Sequence, residues 1–144
     1  MPVLLVMAAA AQAQNPAACP QLPANAELTW EHRAVAGNSD FCRALRSDGS
    51  EALGVYIAAD SPFSPKRVNR DREGTVDGRQ IHWYRAQIAQ NPNITALETL
   101  IELADGRVAH VWLQSDSQEQ LEEVLGVTRD LRFAPDRRGL AGGQ

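Results

Sequence analysis

The sequence predicts an α+β fold: an antiparallel β-sheet of about six strands built from hairpins, covered by a C-terminal amphipathic α-helix. Two observations carry this reading. Three Asp-Gly dipeptides, Asp48-Gly49, Asp77-Gly78 and Asp105-Gly106, punctuate the chain, and the first and third lie between strand-like runs. Both central residues of a type I′ turn need positive φ, which Asp-Gly tolerates, so each dipeptide marks a two-residue hairpin. Beyond the third hairpin the apolar period becomes helical, with Leu121, Val124, Leu125, Thr128 and Leu131 on one stripe and Glu122, Glu123 and Asp130 outside it. Strands followed by a closing helix make an α+β domain.

Taken in order, the chain opens on an apolar run, residues 3–11, that passes into Ala11-Gln12-Ala13, the small-x-small pattern a signal peptidase cuts after. Residues 1–13 read as a signal peptide and the mature protein as starting at Gln14. The run is far short of the roughly 20 apolar residues that span a bilayer, and no other stretch is a transmembrane segment. Residues 14–133 read as a single domain. Residues 134–144, dominated by Pro, Gly and Arg, read as a flexible tail. Cys19 and Cys42 form no C-x-x-C pair, which excludes a thioredoxin-like motif, and in an oxidising compartment they are most simply a disulfide. The rival reading, a lipidated Cys19, meets Pro16 where a lipobox has a large aliphatic residue.

In the first hairpin a two-residue turn puts Ala44 opposite Leu53 and Cys42 opposite Val55, with Arg46 and Glu51 paired at the turn and Cys42 toward the core. The middle hairpin has a short arm ending at Val76 and a long arm, residues 79–89, with Trp83 and Tyr84 on opposite faces. In the third, residues 95–103 and 107–115, the same turn places Leu103 opposite Val108, Ile101 opposite His110 and Thr99 opposite Trp112. The face of Leu97, Ile101, Leu103, Val108, His110 and Trp112 is then the candidate core. Ser117 and Gln120 suit a capping box, Asp116 and Glu119 sit near the positive end of the helix, and Arg129 and Arg132 near its negative end. Gly126 costs the helix about 1 kcal/mol relative to alanine and admits a bend or a close packing contact.

Residues 74–133, with a hairpin through Val76-Asp77-Gly78-Arg79, the strand pair about Asp105-Gly106 and a helix ending in Asp130-Leu131-Arg132-Phe133, resemble the C-terminal half of PsbP/Mog1-like domains. The resemblance implies a small single α+β domain that serves as an accessory or binding protein, and it carries no site residues across. The earlier helix of such a domain is not evident between Asp60 and Glu73, where prolines interrupt the chain.

A net charge of -4 argues against nucleic acid as the main partner, since such binders are normally basic. Lys66 is the one lysine among 14 basic residues, a bias of GC-rich bacterial coding. With the export signal it points to a periplasmic or secreted protein. Each histidine has aromatic company, Trp30 with His32, His82 with Trp83 and Tyr84, His110 with Trp112, so clustered imidazoles would suit zinc or copper. The competing reading is ordinary half-buried sheet histidines. No G-x-S-x-G elbow, H-E-x-x-H helix or glycine-rich phosphate loop is present. Between residues 60 and 73 the prolines Pro62 and Pro65 stiffen a loop carrying Phe63, Lys66, Arg67, Arg70 and Arg72. These five residues are the candidate partner-binding surface, suited to an acidic envelope protein or an anionic polymer because Arg forks grip carboxylate and phosphate. The competing reading is a solvated edge with Phe63 tucked under the sheet. The expectation is an exported, non-catalytic binding or accessory protein of the bacterial cell envelope with no cofactor. The alternative is a small envelope enzyme or metal-binding protein using His82 or His110.

Overall fold

The computed structural model describes residues 18–86 and 92–133, so the expected signal peptide, the expected tail and the far end of the middle hairpin's long arm lie outside the described residues. Seven strands precede one helix: β1 (Thr29–Val35), β2 (Ser39–Leu45), β3 (Glu51–Ala58), β4 (Arg70–Val76), β5 (Arg79–Arg85), β6 (Thr95–Glu102), β7 (Val108–Ser115) and α1 (Gln118–Arg129). They form one antiparallel sheet in the order β1-β2-β3-β7-β6-β5-β4. The sheet has one strand more than the sequence pattern signals. The cause is β1, an edge strand in which only Trp30 is buried, so apolar and polar residues do not alternate along it.

The turns decide which face becomes the core. The middle hairpin turns on two residues, with Asp77 at φ 50° and Gly78 at φ 72° and Val76 opposite Arg79. The third does not. There the Leu103 N–H donates to the Arg107 carbonyl at 2.8 Å, the Gly106 N–H donates to the Leu103 carbonyl at 3.0 Å, and of the loop residues Gly106 alone takes positive φ. This is the three-residue loop that ends in a left-handed glycine. The register moves by one, so Glu102 lies opposite Val108, Ile101 opposite Ala109 and Leu100 opposite His110. A slip of one residue exchanges the faces of a strand. The expected core face is corrected accordingly: Leu97, Thr99, Ile101, Ala109, Val111 and Leu113 are buried, and His110 and Trp112 stand on the other side. The Arg107 backbone N–H and guanidinium both donate to Asp105 in this turn and hold its carboxyl below the usual carboxylate value.

The first hairpin has the same three-residue loop, closed by the Arg46 N–H to the Ser50 carbonyl at 2.8 Å, so Arg46 faces Ser50 and Leu45 faces Glu51. Its strands then bulge between Ala44 and Leu45. The extra residue cancels the shift. Ala44 opposite Leu53 and Cys42 opposite Val55 therefore hold, and Cys42 is fully buried.

Three cross-strand rows fill the core face: Trp30, Ala44, Leu53, Leu113 and Leu97; Cys42, Val55, Val111 and Thr99; Ile57, Ala109 and Ile101. Thr99 is buried for a reason. β5 pairs with β6 only at Tyr84 and Arg85, and beyond that point the strands part. Thr99 Oγ1 donates to the His82 carbonyl at 2.8 Å where a ladder bond is missing, which satisfies a backbone acceptor in the split. α1 contacts β4 and β7 and places Leu121 and Val124 in the core cluster, joined by Leu131 just past its end, while Leu125 is only half-buried. Its N-cap is Ser117, whose hydroxyl accepts from the Gln120 N–H at 3.1 Å. The Gln120 Oε1 accepts in turn from the Asp116 N–H at 2.9 Å, one residue outside the expected box. Nothing packs against Gly126, which rules out the close contact.

The N-terminal arm is fastened twice. Cys19 is bonded to Cys42 of β2, and Gln21 exchanges two backbone hydrogen bonds with Arg132 beyond the helix. The Trp30 indole N–H donates to the Pro20 carbonyl between them, at 2.8 Å.

Two measurements test this packing. Leu121→Ala is expected to cost about 2–5 kcal/mol in urea denaturation and Glu122→Ala less than about 0.5, and equal losses would mean that the helix is not docked on the stripe described. Reduction of Cys19–Cys42, which closes a separation of 23 residues, is expected to remove about 3 kcal/mol and lower the Tm by ~10 °C. An unchanged melt after complete reduction would contradict it.

Candidate functional site

The strand order forces the connection between β3 and β4, residues 59–69, to pass over β7, β6 and β5. Four strand spacings of ~4.8 Å make a traverse of ~19 Å, well within the reach of eleven residues. The strap crosses on the face away from the core. Phe63 is its fastening: the ring stacks on His110 of β7 with centroids 4.8 Å apart and planes 13° apart, and meets Tyr84 of β5 edge-on at 6.2 Å. Phe63 therefore lies on the outer face, neither displayed to solvent nor tucked into the core. Ser61 Oγ accepts the Phe63 N–H at 3.1 Å and holds the turn leading to it.

The outer face is organised by one row through all seven strands: Glu31, Arg43, Gly54, Trp112, Glu98, Tyr84 and Arg70. Trp112 lies over Gly54, where any Cβ would run into the indole. Its N–H donates to Glu51 Oε2 at 3.2 Å, and the same oxygen accepts from Gln114 Nε2 at 2.9 Å. Phe41 and His110 flank the indole at 5.7 and 5.2 Å. Sequence reasoning missed Phe41, Gly54 and Glu51 as members of this group, because the slipped register of the third hairpin had sent Trp112 and His110 to the core.

The four basic residues of the candidate partner-binding surface divide into two sets. Lys66, Arg67 and Arg70 are exposed and engage no carboxylate among the described residues. Arg72 sits on β4 past a bulge between Arg70 and Arg72, half-buried, with Nε 2.5 Å from Asp71 Oδ1, and so stands apart from them. Between the free cations lies Val68, which sequence reasoning passed over and which is 77 % exposed. The turn Arg67–Asn69 is closed by the Asn69 N–H to the Lys66 carbonyl at 2.8 Å, and Arg85 Nη2 donates to the Val68 carbonyl at 3.3 Å. The loop presents its cations on a braced backbone.

The three histidines are dispersed, each with one carboxylate. His32 Nε2 lies 2.9 Å from Asp40 Oδ1, His110 Nε2 2.9 Å from Glu98 Oε1, and His82 Nε2 3.6 Å from Glu73 Oε1. Among the described residues no three His, Cys, Asp or Glu side chains are grouped so as to hold a metal ion. His82 and Glu73 line a cavity of about 420 Å³ with Gly74, Thr75, Gln80 and Ile81, and among the described residues neither a second histidine nor a serine or cysteine nucleophile joins them. No described helix is long and apolar enough to cross a membrane.

Two glycine substitutions test the outer face and the helix together. Gly54→Ala is expected to lose about 1–3 kcal/mol through the clash with Trp112, whereas Gly126→Ala is expected to gain about 0.5–1 kcal/mol, because its site is open and alanine is the better helix former. Urea titration of both reads the opposite signs, and a neutral Gly54→Ala would show that the indole is not seated there. Compared with protein-family models, with curated proteins and with solved structures, the chain has no match.

Proposed function

We propose that this chain is an exported, non-catalytic binding or accessory protein of the cell envelope whose contact surface is the 59–69 strap and the start of β4, turned toward an anionic partner. One observation carries the reading. In a molecule of net charge -4, several cations pair with carboxylates, Arg43 with Glu31 and Glu51 and Arg107 with Asp40 and Asp105, and those that do not, such as Arg33, Arg79 and Arg129, are scattered singly along the chain. Lys66, Arg67 and Arg70 are three within five residues, without a carboxylate partner among the described residues, on a loop that carries no acidic residue between Asp60 and Asp71. A braced loop loses less entropy on binding than a mobile one, and unpaired guanidinium groups are poised for carboxylate or phosphate. The dispersal of the histidines supports the binding module over an enzyme or metal protein built on His82 or His110. Export is supported by the disulfide, which persists in oxidising compartments. The resemblance of residues 74–133 to PsbP/Mog1-like domains, which rests on their order of hairpin, hairpin and helix, implies the same accessory or binding role.

Retention on immobilised polyglutamate tests the surface. The unmutated protein is expected to bind at low salt and to elute as ionic strength rises, and Arg67→Glu with Arg70→Glu is expected to abolish retention while leaving the Tm nearly unchanged. Full retention of the folded double variant would place the contact elsewhere.

A further inference from the structure

We propose that the tip of this strap docks on an anionic phospholipid surface, with Val68 entering the interface and Lys66, Arg67 and Arg70 meeting the phosphates. This rests on the reading of the strap as a surface for an anionic partner and names that partner. The distinguishing residue is Val68. Among the described residues two large apolar side chains are exposed, Val35 at 37 % and Val68 at 77 %, and of these Val68 alone lies between cations that meet no described carboxylate.

A protein partner selects a contiguous patch, with an apolar centre and a polar rim that excludes water. Among the described residues the one other exposed large apolar side chain is Val35 of β1, so Val68 is not the centre of such a patch. Its exposed neighbours along the chain are Lys66, Arg67 and Arg70, and Arg85 reaches its carbonyl. One exposed aliphatic side chain flanked along the chain by long basic side chains fits a bilayer interface, where the valine leaves water and the cations stay at headgroup level with their stems along the apolar boundary. The turn Arg67–Asn69 fixes the backbone that presents Val68, so insertion orders little that is not already ordered. The charge of the rest of the molecule works in the same direction. With a net charge of -4 overall, the body is repelled by an anionic leaflet while the tip is attracted, which selects one orientation. Three cations and one valine give a weak, reversible and salt-sensitive association.

Co-sedimentation of the full chain with vesicles tests this. Vesicles of phosphatidylcholine with phosphatidylglycerol are expected to capture the protein at low salt, vesicles of phosphatidylcholine alone are not, and added salt releases it. Val68→Asp is expected to reduce capture severalfold without moving the Tm, since the side chain is exposed. Val68→Trp is expected to show a blue-shifted emission when anionic vesicles are added. Equal capture of Val68→Asp and the unmutated chain, or no spectral shift in Val68→Trp, overturns the insertion. Failure of anionic vesicles to capture a protein that still binds polyglutamate overturns the lipid partner and leaves the anionic-partner reading in place, whereas loss of both removes both.

Discussion

The pairing of β3 with β7 is the constraint on which the rest of this molecule depends. It joins Ala58 to Val108 and Leu53 to Leu113, residues 50 and 60 positions apart, and fuses two meanders, β1-β2-β3 and β4-β5-β6-β7, into one sheet. Everything else in each meander is local hairpin. Once β7 occupies the free side of β3, β4 is driven to the far edge and the connection between them has to run over the outer face. The prolines, the Phe63 stack and the braced turn at Arg67–Asn69 are the means by which that traverse is made stiff. The apolar strap anchor and the cationic tip are thus two ends of one topological requirement.

Edge position explains part of the charge pattern near the strap. β4 reads Arg70-Asp71-Arg72-Glu73-Gly74-Thr75-Val76, and alternating charge at its start discourages another strand from adding to the sheet. Arg72 is absorbed in that role through Asp71. Lys66 and Arg67 precede the strand, and Arg70 at its start meets no carboxylate among the described residues, which is why these three separate from Arg72 although the sequence presents all four as one cluster.

Fold class, hairpin order, the disulfide and the helix cap were legible in the sequence because each rests on local chemistry: Asp-Gly turns, an even pair of cysteines, Ser117 before a helical period. The length of a turn was not legible. Asp77-Gly78 closes a two-residue loop and Asp105-Gly106 ends a three-residue one, and the difference lies in whether both residues or only the glycine adopts positive φ. One residue of slip moved Trp112 and His110 from core to outer face, and with them the whole aromatic group beneath the strap. In the first hairpin the same error cancelled against a bulge, so Cys42 was placed on the correct face although Arg46 was paired with the wrong residue. Val68 was invisible for another reason: exposure of a single aliphatic residue in a loop depends on where the chain beyond it goes.

The two fastenings of the N-terminal arm have a mechanical meaning. Gln21 and Arg132 hold the two ends of the described domain side by side through two backbone hydrogen bonds. Tension applied to those ends peels this bridge open first. From then on the load from the N-terminal side enters at Cys19 and passes through the disulfide into β2, bypassing residues 20–41, so β1 and its turn carry none of it. The pull from the other end goes through α1. The edge strand with the weakest burial is therefore shielded by a covalent shunt, and the helix stands in the load path.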